Sequence, residues 1–359
     1  WWKNIDKTIL ILIISFFIAG LFFSLVSTSL VASDRLNTNS YYFFVKHLMF
    51  ILMGFIIMFV FSLVKEDYLI KLSIIFFIVS FLFLLLVPII GIEIKGSKRW
   101  LDLPFLPRFQ PVELIKPFYI VILSSLLNHH KYNLYFKYLL TLLLIVPIIL
   151  LLMSQPDIGQ SILIILTWLA LVFVSGINLI IFFGLFGIFI ILLSYLIIFV
   201  EKFNYIKIRI ASFLDSSSNN NFQSEKASEA IIDGGFFGKG IGEGTLNSKI
   251  PEAHTDYIVS VISEEFGIII IILIMLSFVF FTYNIIKKIR GTHENSFKMI
   301  LIGLILLIMI QAFVHVGVNL RVLPTTGMTL PYLSYGGSSI ISISIISGII
   351  LNLTKRRVY

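Results

Sequence analysis

Long uninterrupted apolar segments constrain the fold of this chain more than any other feature. Two of them read ILILIISFFIAGLFF and IIIIILIMLSFVFF. Only 13% of the 359 residues are charged, whereas a soluble domain carries about 25%, and the mean hydropathy is +1.02. Strands of a membrane β-barrel would alternate apolar and polar residues, which these segments do not. The sequence therefore predicts an all-α polytopic membrane protein.

Ten apolar segments, bounded by charged residues, Pro or Gly, predict about ten transmembrane helices in a single transmembrane domain over residues 1–359. The predicted spans are Thr8 to Val31, Phe43 to Val64, Leu69 to Ile90, Pro111 to Leu127, Phe136 to Met153, Ile158 to Ser175, Leu179 to Val200, Tyr257 to Ile286, Phe297 to Val318 and Gly336 to Leu353. An even number of spans puts both termini on one side of the membrane.

The distribution of Lys and Arg predicts which side that is. With both termini inside, thirteen of the 27 basic residues are cytoplasmic, eight are external and six lie in one long loop. Because cytoplasmic loops are enriched in Lys and Arg, we expect both termini in the cytoplasm. The net charge of +8 then reflects membrane topology rather than nucleic-acid binding. The absence of Cys excludes thiolate nucleophiles and disulfides.

Two external loops, at about 91–110 and 201–256, are rich in polar residues. In the second, DSSSNNN is typical of a flexible stretch, while QSEKASEAIIDGG predicts a short helix with Ser224 as its N-cap and Gly234 at its end. The following cluster, GGFFGKGIGEG, has six glycines in eleven residues. It predicts either a flexible turn or a loop whose amides cradle a ligand.

Ionisable residues at the ends of the spans are candidates for function, because charges inside a membrane are costly. Glu113 and Lys116 are three residues apart at the start of the fourth span, so they can form an ion pair on one helix face. Asp256, Ser260 and Glu264 recur every four residues, which predicts a polar stripe at the start of the eighth span.

Asp256 ends the loop sequence PEAHTD at a predicted helix N-terminus, where a carboxylate can be a general base or merely an N-cap. Glu252 and His254 with Asp256 could also ligate a divalent cation. His315, four residues before Asn319 in the ninth span, is interpreted as a structural contact between helices.

Six motifs, in order along the chain, resemble the SEDS family (shape, elongation, division and sporulation). They are GSKRWLDL, QPVELIKP, SQPDIGQS, GGFFGKGIGEG, IPEAHTDYIVSVISEEFG and LPTTGMTLPYLSYGGSS. GTLNSKIPEAHTDY and NLRVLPTTGMTLP are more similar to the division branch than to the elongation branch. The resemblance implies a peptidoglycan glycosyltransferase that polymerises lipid II at the outer face of the bacterial cytoplasmic membrane. It also implies a class B penicillin-binding transpeptidase as a partner, with other division proteins at the septum.

The resemblance also implies the site residues. The family's essential aspartate corresponds to Asp256, expected to act as the general base of an inverting glycosyl transfer. The residues expected to bind substrate are Lys98, Arg99, Trp100, Arg108, Glu113, Lys116, Lys239 and His254. Basic side chains or a divalent cation, Mg²⁺ or Mn²⁺, would stabilise the leaving pyrophosphate. Val112 replaces a Ser that is usual in the family.

Two other functions fit the same composition. A lipid II flippase would also need many spans, intramembrane charges and an amphiphilic cavity. No Gly/Pro-broken spans recur in the two halves of the chain, which argues against such a transporter. A non-catalytic scaffold of the division apparatus is the third hypothesis. Synthesis of glycan in detergent would distinguish an enzyme from either.

Overall fold

The structure is a computed structural model that describes residues 2–28, 41–94, 96–104, 106–129, 132–214, 222–246, 250, 252–291 and 294–355. The sequence DSSSNNN and the predicted end of the first span at Val31 lie outside these residues. Helices account for most of the described chain, as the continuous apolar segments predicted. A backbone in lipid must satisfy its own hydrogen bonds, and a helix does so within one segment.

The helices and strands follow one another in this order: α1 (Lys7–Thr28), α2 (Tyr42–Leu63), α3 (Glu66–Ile90), β1 (Ile92–Ile94), β2 (Ser97–Trp100), α4 (Pro111–Leu127), α5 (Leu134–Ser154), α6 (Ile158–Val174), α7 (Leu179–Phe199), a 3₁₀ turn (Glu201–Phe203), α8 (Asn204–Leu214), α9 (Phe222–Gly234), α10 (Ile258–Phe266), α11 (Ile268–Ile289), α12 (Asn295–Asn319) and α13 (Gly337–Leu353).

Seven helices among the described residues are long and apolar enough to cross a membrane, namely α1, α2, α3, α5, α7, α11 and α12. The other predicted spans correspond to the shorter helices α4, α6 and α13, of 17 residues each. The prediction of an all-α, multi-pass membrane protein is therefore confirmed. Helix α7 has no buried residue, which is what a helix surrounded by lipid would show.

Two sequence predictions need correction. The eighth span is not one helix from Tyr257 to Ile286, because Gly267, with φ of 83°, separates α10 from α11. The helix predicted in the long loop does end at Gly234, but α9 begins at Phe222, so Ser224 lies inside the helix and is not its N-cap.

The chain divides into two compact units. One combines Trp1–Leu63, Ser212–Arg290 and Gln311–Tyr359, and the other combines Val64–Ala211 and Gly291–Ile310. In the first, α13 packs closely on α2. Gly54 and Gly348 allow this approach, since a Cβ at Gly348 would lie 2.6 Å from the carbonyl oxygen of Met58. That residues 1–359 act as one transmembrane domain stays a prediction.

The second unit contains the two-stranded antiparallel hairpin β1–β2. After the hairpin, Leu101 and Phe109 pair through their backbones, and both side chains are buried against Val87 of α3. This apolar contact fixes a loop that is otherwise polar. It therefore restrains the backbone of the loop that the sequence predicts to be external.

Candidate active site

Asp256 lies in a tight turn immediately before α10. The N-cap of α10 is Tyr257 rather than Asp256, so the interpretation of Asp256 as a mere N-cap is wrong. The turn closes through the backbone, since the N–H groups of both Asp256 and Tyr257 donate to the carbonyl of Glu252. Asp256 is partly exposed, whereas Ile258 to Glu265 are buried. A carboxylate thus sits at the exposed end of a buried helix.

Two residues before α13 hold the backbone that precedes Asp256. The N–H of Tyr335 donates to the carbonyl of His254 at 3.1 Å. The hydroxyl of Ser334 donates to the carbonyl of Thr255 at 2.8 Å. The same hydroxyl accepts from the N–H of Leu330 at 2.8 Å, which fixes its direction. The carbonyls of His254 and Thr255 are therefore both satisfied by the segment that precedes α13.

Asn319, the last residue of α12, binds the next carbonyl of the turn, that of Asp256. Its Nδ2 donates to the carbonyl of Asp256 at 3.1 Å and to the carbonyl of His315 at 2.8 Å. Its Oδ1 accepts from the hydroxyl of Ser260 at 2.8 Å and from the N–H of Ser260 at 3.2 Å. Because a carboxamide offers two donors and two acceptor positions, Asn319 is fully satisfied. It joins the turn at Asp256 to α10 and α12.

His254 and His315 have different surroundings. The ring of His254 lies 5.2 Å from that of Phe43 and 5.6 Å from that of Tyr335, between centroids, and is partly exposed. His315 is buried, and its Nδ1 lies 2.7 Å from the carbonyl oxygen of Met328. This contact agrees with the structural role expected for His315.

The glycine cluster contacts the C-terminal end of α10. The N–H of Lys239 donates to the carbonyl of Glu264 at 2.9 Å, and that of Gly240 donates to the carbonyl of Glu265 at 3.0 Å. These amides satisfy carbonyls that the last turn of a helix leaves without partners. Of the two alternatives left open by the sequence, the contacts favour a structural turn over a ligand-binding loop. The Lys239 side chain forms an ion pair with Asp233.

Replacing Gly238 by Ala tests this packing. Gly238 has φ of 77°, and a Cβ there would lie 2.2 Å from the carbonyl oxygen of Glu265. Left-handed strain and overpacking together should cost about 2–5 kcal/mol of unfolding free energy, measured by titration with SDS in mixed micelles. Gly242→Ala is the matched control, because its φ is 81° and no atom of the described residues would lie within 4 Å of the new Cβ. Equal losses in the two variants would contradict the packing role.

Arg99 of β2 binds the segment before α6. Its guanidinium donates to the carbonyls of Gln155, at 3.3 Å, and Pro156, and lies 3.8 Å from the Asp157 carboxylate. Gln110 also donates to Asp157, at 2.9 Å. Burial raises the pKa of the Asp157 carboxyl, an effect opposed by the charge of Arg99. Arg99 therefore anchors the hairpin, and its predicted contact with substrate stays a prediction.

Glu113 and Lys116 form the ion pair that their spacing predicted. Lys116 Nζ lies 2.7 Å from Glu113 Oε2, and the side chains are only 2% and 5% exposed, respectively. Gln160 of α6 donates to the other oxygen of Glu113 at 2.7 Å. A buried pair needs such extra hydrogen bonds to offset the loss of water. Helices α4 and α6 are thus joined at their N-terminal ends.

Sequence reasoning assigned no role to Asp157 and Gln160, although SQPDIGQS was recognised as a motif. Asp157 is the N-cap of α6, accepting from the N–H of Gln160 at 3.4 Å. An Asp followed three residues later by Gln, just before an apolar run, is a capping signal that could have identified both.

The remaining predicted residues are on the surface of the first external loop. Lys98 and Arg108 are exposed, and Trp100 is partly exposed. Arg108 forms an exposed ion pair with Asp102 at 3.3 Å. No group of three His, Cys, Asp or Glu side chains in the described part of the chain could hold a metal ion. Glu252, His254 and Asp256, which are all described, therefore do not form the cation site that the sequence allowed. The expected role of Mg²⁺ or Mn²⁺ stays a prediction.

Comparison with known proteins places the chain in a family. The sequence model of the family FTSW_RODA_SPOVE, described as "Cell cycle protein", matches residues 6–359. The chain belongs to this family. The SEDS resemblance is thereby confirmed across nearly the whole chain.

Two relatives of this FtsW/RodA/SpoVE family are both named "Probable peptidoglycan glycosyltransferase FtsW". The relative from Coxiella burnetii is 33% identical over 361 residues, covering 97% of this chain and 95% of its own. The relative from Wigglesworthia glossinidia brevipalpis is 34% identical over 352 residues, covering 94% of this chain and 90% of its own.

Solved structures share the fold. One is a chain from a study of polymerization and crosslinking by a peptidoglycan synthase complex, with a TM-score of 0.79 at 24% identity, covering 98% of this chain and 97% of its own. The Thermus thermophilus rod shape determining protein RodA gives a TM-score of 0.71 at 24% identity, covering 98% of this chain and 96% of its own.

Proposed function

We propose that this chain is a peptidoglycan glycosyltransferase of the division type, which polymerises lipid II at the outer face of the cytoplasmic membrane. The family match over residues 6–359 and the FtsW relatives support the activity. The observation that carries the mechanism is the turn at His254, Thr255 and Asp256, in which each carbonyl is held by a donor from another segment. Such preorganisation suits a catalytic base.

In the proposed reaction, the 4-hydroxyl oxygen of the incoming sugar attacks the anomeric carbon of the growing glycan. The new C–O bond forms as the bond to the lipid pyrophosphate breaks, so the bonding electrons leave with the pyrophosphate and the anomeric centre is inverted. The Asp256 carboxylate accepts the hydroxyl proton. A base in this position contributes on the order of 10²–10⁴-fold in rate.

The leaving pyrophosphate needs positive charge, and the basic residues differ in how readily they could supply it. Lys98 is exposed, and the pair of Arg108 with Asp102 is at the surface, with the Arg108 side chain 51% exposed. The side chains of Arg99, Lys116 and Lys239 are less exposed, at 15%, 2% and 33%, and each is paired with a carboxylate. We therefore assign the first phosphate contacts to Lys98 and Arg108. The other three, with Trp100, Glu113 and His254, would complete or support substrate binding.

Purified protein in detergent micelles, supplied with lipid II, tests the function. We expect glycan strands on gel electrophoresis, because polymerisation needs no membrane, whereas flipping has no meaning in a micelle. No glycan from a folded preparation, together with lipid II movement in vesicles, would favour the flippase. The same assay with and without a chelator tests the expected Mg²⁺ or Mn²⁺ requirement.

We further propose a class B penicillin-binding transpeptidase as the partner, at the septum, with both termini cytoplasmic. Two polar side chains of helix α11 favour a partner that spans the membrane. The side chains of Ser277 and Asn284 are seven residues apart and partly exposed, and they donate to the carbonyls of Leu273 and Phe280 in the same helix. Polar side chains facing lipid are costly, so a partner helix would stabilise them. Adding the transpeptidase to the detergent assay should increase glycan synthesis.

A further inference from the structure

Four large apolar side chains of the second external loop are strongly exposed. Phe236 and Phe237, in the glycine cluster, are 71% and 84% exposed, and Ile232 and Ile241 on either side are 77% and 64% exposed. Exposed apolar groups that cluster in this way mark a contact surface rather than ordinary surface residues.

The packing of α1 on α11 shows how deep this cluster lies. Each helix has 22 residues, or a length of about 33 Å, which matches a hydrocarbon core of about 30 Å. At one end, Asp6 pairs with Lys288 at 2.6 Å. Towards the other end, Phe23, five residues before α1 ends, packs on Phe266, the last residue of α10, with ring centroids 5.6 Å apart. Gly267, between α10 and α11, is therefore at the edge of the hydrocarbon core.

The two phenylalanines are attached to that edge. The N–H of Ile268, the first residue of α11, donates to the carbonyl of Gly235 at 3.0 Å. A Cβ at Gly267 would lie 2.1 Å from the carbonyl oxygen of Phe236 and 2.6 Å from the N atom of Phe237. The Phe236–Phe237 peptide thus rests directly on the residue where the span begins. The rings of Phe236 and Phe237 are exposed on the surface next to that residue.

We propose that Phe236 and Phe237 insert into the lipid leaflet on the side of Asp256, with Ile232 and Ile241 as flanking contacts. Apolar rings at this depth gain more from acyl chains than from water. The glycine cluster that carries the rings also donates to the carbonyls of Glu264 and Glu265. The leaflet therefore anchors the helix that begins next to Asp256.

Because the chain has no Cys, single nitroxide labels can be introduced without removing natural residues. Phe236→Cys and Phe237→Cys would be labelled in full-length protein, reconstituted in phosphatidylethanolamine and phosphatidylglycerol vesicles. The accessibility of each label to oxygen, which concentrates in lipid, is compared with its accessibility to a nickel chelate, which stays in water. Leu276→Cys, 56% exposed on α11, is the lipid control, and Glu243→Cys, on the exposed loop, is the water control.

We expect oxygen-to-nickel ratios at positions 236 and 237 that are several-fold above that of Glu243→Cys and close to that of Leu276→Cys. Ratios equal to that of Glu243→Cys would overturn the proposal. Low accessibility to both reagents would also overturn it, because it would show that protein covers the rings. Neither label depends on catalysis, so the outcome is separate from that of the glycosyltransferase assay.

Discussion

Asp256→Asn should lose glycan synthesis by about 10²–10⁴-fold, because an amide cannot accept the proton of the attacking hydroxyl. The substitution is nearly isosteric, and the hydrogen bonds that set the turn use the backbone of Asp256, with Glu252 and Asn319 as partners. We therefore expect the variant to fold. The measurement is the initial rate of lipid II polymerisation in detergent, together with thermal unfolding.

Glu243→Gln is the matched control for this variant, since it neutralises an exposed carboxylate in the same external loop and should leave the rate unchanged. Asp256→Glu keeps the charge but moves the carboxylate by one methylene, so it should retain part of the activity. A folded Asp256→Asn protein with the rate of the unsubstituted chain would refute the assignment of Asp256 as the base.

Lys116→Met should cost about 3–5 kcal/mol of unfolding free energy, because it leaves the buried Glu113 carboxylate without its cation. The double variant Glu113→Gln with Lys116→Met should recover most of that loss. It removes both charges, and the new carboxamide oxygen can still accept from Gln160. Unfolding in mixed SDS micelles measures both variants.

An exposed ion pair with the same spacing provides the control. Lys226 lies 2.5 Å from Glu229, but the side chains are 27% and 50% exposed. Lys226→Met should therefore cost no more than about 1 kcal/mol. Similar losses for Lys116→Met and Lys226→Met would show that burial does not determine the cost. A stable double variant that makes no glycan would assign the Glu113–Lys116 pair to substrate binding.

The sequence predicts those parts of the fold that depend on local pattern. Apolar runs bounded by charge predicted ten helical segments, and three-residue spacing predicted the pair of Glu113 and Lys116. The same reasoning failed at Gly267, because an apolar run continues across the break and hydropathy contains no information about a φ of 83°. It also missed α8, Asn204–Leu214, because a helix of 11 residues is too short to span a membrane and so was included in the predicted loop.

Contacts between distant segments could not be predicted from one sequence. Arg99 and Asp157 are 58 residues apart, and no local pattern relates them. The role of Asn319 is similar, since its position beside His315 suggests contacts within one helix, whereas its amide holds Asp256, 63 residues earlier. Such pairings depend on how helices pack in three dimensions, so chemistry-bearing residues were predictable but the residues that orient them were not.

The donors that hold the turn at Asp256 are synthesised well after Asp256 itself. Asn319 follows Asp256 by 63 residues, and Tyr335 follows it by 79. At a translation rate of about 5–20 residues per second, at least about 4 s pass between the synthesis of Asp256 and the synthesis of Tyr335. A nascent chain that already contains Asp256 therefore lacks the contacts that fix it. The turn before α10 can therefore acquire all of these contacts only after α12 and the segment that precedes α13 have been synthesised.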